Sequence, residues 1–93
     1  MQQFEFIYMA KTLKVQEVLQ GDPEIIVKLK DGILVKHNHQ KNNAMYIEMK
    51  DAGKSYLIPS KKELEDIYRI YLENESFTQL LYEYLEEKLE KIE

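Results

Sequence analysis

The hydrophobic pattern of the chain changes period at Pro59-Ser60. Before that point apolar residues sit in short runs separated by Gly, Asp, Asn and Pro; after it they recur at helical spacing. In the front part, Phe4-Glu5-Phe6-Ile7-Tyr8-Met9 is aromatic and β-branched and predicts a strand. Residues 12–19 fit both periods, and the β-branched Val15 and Val18 tilt the reading to strand. Gly21-Asp22-Pro23 then breaks the chain. The strongest local signal follows. Two strand-like runs, Glu24 to Lys30 and Ile33 to His37, are joined only by Asp31-Gly32. That is the signature of a tight hairpin, because a type I′ turn needs positive φ at both central residues. A polar loop, Asn38 to Asn43, leads to a run from Ala44 to Lys50 in which Met45, Ile47 and Met49 share a face. Asp51 to Lys54 turns the chain again, and Ser55 to Pro59 is the last short strand.

The back part predicts two helices. Ser60-Lys61-Lys62-Glu63 reads as a capping box, in which the Ser hydroxyl caps an orphan amide and the Glu reaches back. Leu64, Ile67, Tyr68, Tyr71 and Leu72 then form an apolar stripe, with Glu65 placed to pair with Arg69. The stripe stops at Glu73-Asn74-Glu75, and a second box, Ser76-Phe77-Thr78-Gln79, restarts the phase. Phe77, Leu80, Leu81, Tyr84, Leu85, Leu89 and Ile92 make the second stripe. With Tyr82 added it spans roughly 200°, against roughly 140° for the first, so the second helix should touch two neighbours. Tyr68, Tyr71 and Tyr84 fall on core stripes, and Tyr82 on an exposed flank. The expected fold is α+β: an antiparallel β-meander or small barrel over residues 2–59, then helices over 61–73 and 77–92. Residues 1–93 should form one domain, β-rich over 1–59 and helical over 60–93.

Charge sharpens this division. Residues 1–62 carry ten Lys against seven acids, whereas residues 63–93 carry three basic residues against ten acids; the net charge is −4. Glu83, Glu86, Glu87 and Glu90 oppose the helix macrodipole, and Glu83–Glu87 and Glu86–Glu90 are like-charged i,i+4 pairs. Hydrophobic residues are 44% of the chain, which is enough to build a core and unlike a disordered sequence. The absence of Cys removes disulfides and thiolate metal sites, and in so small a domain points to the cytoplasm. No apolar run approaches the about 18 residues that cross a bilayer.

The chain offers little that demands catalysis. Ser60 and Ser76 are spoken for as helix caps, and Gly21, Gly32 and Gly53 are isolated turn residues, not a phosphate loop. His37 and His39 stand i,i+2 at a strand end and are weak metal candidates with no third ligand at a motif spacing. No cofactor is implied. The expectation is therefore a non-catalytic protein-interaction module, a regulator or inhibitor. It would dock on another protein's basic surface through Tyr82, Glu83, Glu86, Glu87 and Glu90, and its broad second helix also suits a homodimer. The alternative is a nucleic-acid-binding barrel whose face carries Lys28, Lys30, Lys36, Lys41, Lys50 and Lys54, with Tyr46 and Tyr56 for stacking.

Overall fold

The computed structural model describes residues 1–13 and 17–92. Helix α1 (Gln3–Thr12) leads into β1 (Glu17–Gln20), β2 (Glu24–Lys28), β3 (Ile33–Asn38) and β4 (Ala44–Met49). After one 3-10 turn (Lys50–Ala52) come β5 (Lys54–Ile58), α2 (Lys61–Glu73), α3 (Phe77–Lys88) and β6 (Lys91–Ile92). The strands form one antiparallel sheet in the order β1-β2-β3-β4-β5-β6. The fold is α+β, and of the two architectures open to the sequence it is the meander: the sheet does not close.

Turn chemistry sets the register. Asp31 and Gly32 both hold positive φ, 60° and 71°, as the β2–β3 hairpin requires. Asn42 and Asn43, at 56° and 57°, do the same work between β3 and β4, where the short polar Asn tolerates the left-handed region. The resulting pairing lines up Ile25, His37, Met45 and Ile58 in one row and Val27, Val35, Ile47 and Tyr56 in the next. These rows make the inner face, and every residue in them is buried. Phe6 and Ala10 of α1, Leu64, Ile67 and Tyr68 of α2, and Leu81 and Leu85 of α3 complete one core drawn from both halves of the chain. Each large apolar side chain so enclosed is worth about 1.5–3 kcal/mol.

Three sequence expectations are corrected. Residues 4–9 are helix, not strand. In strand geometry Phe4, Phe6 and Tyr8 would share one face, but the inner side of β1 and β2 needs a cover, and helical spacing sets Phe6 and Ala10 there together. Tertiary burial has overridden strand propensity. Second, the last helix ends at Lys88 instead of 92, and Leu89 takes an extended conformation. The like charges and dipole-opposed acids of its end weaken further helix, while pairing with β5 satisfies backbone groups there: Lys91 and Ile92 pair with Tyr56 and Ser55, and Leu57 donates to the Glu90 carbonyl at 2.9 Å. Third, residues 12–19 are not one strand: Thr12 closes α1, Glu17–Gln20 is β1, and residues 14–16 lie outside the described residues.

The helix breaks fall where the pattern stops. Asn74 leaves the helical region after α2, and its side chain donates to the Ile70 carbonyl at 3.0 Å. Ser60 and Ser76 occupy the N-cap positions, but neither side chain caps a backbone amide. The Ser60 hydroxyl donates to the Glu63 carboxylate instead. Arg69 pairs with Asp66 at 2.6 Å in place of Glu65.

Candidate functional site

Two polar clusters join the helices to their surroundings. In the first, the Tyr56 hydroxyl donates to Glu86 at 2.7 Å, and Lys54 reaches Glu86 at 3.2 Å and the Tyr82 hydroxyl. The Tyr56 hydrogen bond, then Lys54, holds the Glu86 carboxyl below its ordinary range. Lys54 is pushed up by Tyr82 and then Glu86, and Tyr56 is pushed up by burial and then by Glu86. In the second cluster, Tyr84 donates to Asp66 at 3.0 Å, and Lys62 and Arg69 flank the same carboxylate. Burial pushes Asp66 up, but the Tyr84 bond and the neighbouring cations outweigh it, and its pKa is lowered. All these shifts lock the groups deeper into the forms they hold at neutral pH. A general acid or base works best with a pKa near the operating pH. These clusters fit a role as clasps, one fixing α3 to β5 and the other α3 to α2.

That accounting disperses the residues singled out in the sequence. Glu83, Glu87 and Glu90 of the acidic set are exposed on or just past α3, but Glu86 is tied to Tyr56 and Lys54. Tyr82 is half-buried against Lys54, contrary to the exposed flank expected for it, because α3 leans on the sheet edge. The broad apolar arc of α3 finds both its neighbours, the sheet and α2, inside the chain. Of the six lysines, Lys36 is paired with Glu48 at 2.9 Å and Lys54 is held in the clasp. Lys28, Lys30 and Lys50 sit toward one end of the sheet and Lys41 at the other; Lys28 and Lys36 share the outer face with Tyr46, whereas Tyr56 is fully buried on the inner face.

The histidines also part. His37 is wholly buried on the inner face; its Nε2 donates to the Met1 carbonyl at 2.9 Å and its ring lies 5.1 Å from that of Phe6. His39 faces Asp22 at 3.2 Å. Among the described residues no three His, Asp or Glu groups gather as a metal set.

A different surface stands out. α1 packs over β1 and β2 while α2 packs on α3 and β5, and a trough of about 490 Å³ runs between α1 and α2. Residues 4, 5, 8, 9, 12 and 13 line one wall and residues 61, 65, 69, 72 and 73 the other, so the trough follows both helices along their length. Its rim carries the three most exposed large apolar residues among those described: Phe4 at 77%, Tyr8 at 54% and Leu72 at 46%. Phe4 and Tyr8 are one helical turn apart with parallel rings at 6.2 Å. α1 spreads its apolar residues around the helix, among Gln3, Glu5, Lys11 and Thr12, so that apolar positions face the trough as well as the core. The trough's charged groups are Glu5, Glu65 and Glu73 against Lys61 and Arg69, and Arg69 is already engaged by Asp66. Its residual potential is therefore negative.

Sequence reasoning missed this surface because it read residues 4–9 as a strand. The available signal was Phe6, Ile7, Ala10 and Leu13, which repeat at helical spacing and leave Phe4 and Tyr8 on the opposite side. Comparison with family models, curated proteins and solved structures finds no match.

Proposed function

We propose that the chain is a non-catalytic protein-interaction module that receives a basic amphipathic helix of another protein in the α1–α2 trough. The observation that carries this reading is the exposed Phe4–Tyr8 pair facing Leu72 across an open, net-acidic channel lined by two helices. A channel bounded by helices on both sides suits a third helix, whose apolar positions at i, i+3, i+4 and i+7 would fill it. Ten residues of α1 set its length at about 15 Å, or roughly three turns of the incoming helix. Aromatic anchors of this kind supply most of the energy of an interface, and rim charges supply orientation and association rate. Glu83, Glu87 and Glu90 extend the acidic field that would draw the same partner. The titratable clusters, held in single charge states at neutral pH, support a binding role over a catalytic one.

The test is an amide-resolved NMR titration with a Leu/Lys amphipathic helical peptide and its Leu/Glu analogue. The reading expects saturable shifts over residues 4–13 and 61–73 with the basic peptide, and loss of binding in Phe4→Ser plus Tyr8→Ser. Shifts confined to residues 83–90 would move the site to the acidic face of α3. Equal binding of both peptides, or none, would remove the proposal.

A further inference from the structure

All three helices lie on one side of the sheet, and among the described residues no element covers the other. An antiparallel sheet with an open face normally turns polar residues to it. Here the outward positions include Leu19, Ile26, Leu34, Tyr46, Leu57 and Ile92, spread over all six strands. Leu19 and Ile92, at the two edges, are each 41% exposed. Leu19, Ile26, Lys36, Tyr46 and Leu57 form a continuous cross-strand row.

Four of the charges on this face are matched in two pairs, while Glu24 of β2 stands opposite Asn38 and leaves the face close to neutral. Lys36 meets Glu48 at 2.9 Å with the two side chains only 15% and 26% exposed, and its ammonium lies 5.7 Å from the Tyr46 ring centre. Glu17 stands directly opposite Lys28 across β1 and β2. Desolvating an ion pair costs least where the partners are already joined and shielded. The central pair is in that condition before anything docks.

We infer that two copies of the chain stack sheet to sheet through these outer faces. Copies that each carry −4 repel through any acidic surface, and this nearly neutral face is where they can meet. A two-fold axis along the strands between β3 and β4 lays β3 of one copy over β4 of the other. Lys36 of each then faces the other's Tyr46, with the opposing Glu48 one diagonal away, so the pattern is self-complementary. Six strands at about 4.8 Å and five residues at about 3.4 Å give about 490 Å² of face per copy. Doubled, that lies at the low end of specific interfaces, so the dimer is weak and depends on concentration. It leaves the α1–α2 trough, on the opposite side, open.

Sedimentation equilibrium over a concentration series tests this. The mass is expected to climb from the 11.2 kDa of one chain toward twice that value as concentration rises. Tyr46→Lys and, independently, Leu57→Lys should weaken association by at least about tenfold, equal to about 1.4 kcal/mol, with unchanged far-UV circular dichroism. Leu34→Lys serves if either variant loses its fold. Phe4→Lys, in the trough, should leave association unchanged. A monomer up to about 1 mM, a free-energy scale of about 4 kcal/mol, overturns the inference. So does an association that ignores the outer-face variants, or one that only Phe4→Lys abolishes, which would place a second copy in the trough.

Discussion

Truncating Phe6, Phe4 and Tyr8 one at a time separates the helical reading of residues 3–12 from the strand their composition suggests. In a strand the three side chains point to one face, and removing any of them would have a similar effect. In the helix Phe6 is fully enclosed, against the His37 ring at 5.1 Å, while Phe4 and Tyr8 are 77% and 54% exposed. Phe6→Ala removes a buried ring and leaves a cavity under α1, at a cost of about 3–5 kcal/mol. Phe4→Ala and Tyr8→Ala lose little burial and one exposed ring contact, and should each cost less than about 0.5 kcal/mol. A chain of 93 residues has a total stability of roughly 5–14 kcal/mol, so Phe6→Ala takes a large share of it. Phe6→Leu, at about 1.5 kcal/mol or less, keeps the comparison measurable if the alanine variant does not fold. Urea unfolding followed by circular dichroism is the assay. With a slope of about 1.5 kcal/mol per molar, Phe6→Ala should lower the midpoint by about 2–3 M while the other two leave it within about 0.3 M. Similar losses at all three positions would refute the helix and, with it, the exposed aromatic rim of the trough.

Two further outcomes follow from the core and the clasps. The Tyr68 hydroxyl is buried and has no hydrogen-bond partner among the described residues, and burial pushes its pKa up. Tyr68→Phe should therefore leave thermal stability unchanged or raise it by about 1 kcal/mol, and a loss above about 1 kcal/mol would reveal a partner for that hydroxyl. Glu86 and Asp66 have folded pKa values below their ordinary 4.5 and 3.8, so each favours the fold when ionised. That contribution is complete above the ordinary value and is lost as the pH falls through the lower folded one. Glu86→Gln and Asp66→Asn should flatten the acid limb of a stability–pH profile below about pH 4.5, and an unchanged limb in both would contradict the clasps.

The sheet was readable because its signals are local. Asp31-Gly32 declares a hairpin, and the alternation of Met45, Ile47 and Met49 gives the inner face of β4 without knowledge of its neighbours. The stop at Glu73-Asn74-Glu75 likewise fixes the break between α2 and α3. The rest depended on distant partners. α1 is a helix because the sheet beneath it needs cover, which no window of ten residues contains. β6 is two residues long and exists only through its pairing with β5. The clasp of Lys54, Tyr56 and Glu86 joins residues about thirty positions apart, so the acidic stretch of α3 looked like an unassigned charged face when part of it was already engaged. The trough inherits its invisibility from α1: once residues 4–9 become helical, the exposure of Phe4 and Tyr8 follows from helical geometry alone.

The central claim, that the α1–α2 trough receives a basic amphipathic helix, is tested most directly by photocrosslinking from a benzophenone side chain at position 8, with the same probe at position 87 as the comparison. The account predicts that position 8 crosslinks to one segment of a partner, and that this segment, sequenced after digestion, carries apolar residues at helical spacing flanked by Lys and Arg. Crosslinks that form only from position 87, or that join position 8 to an acidic or non-periodic segment, would contradict it.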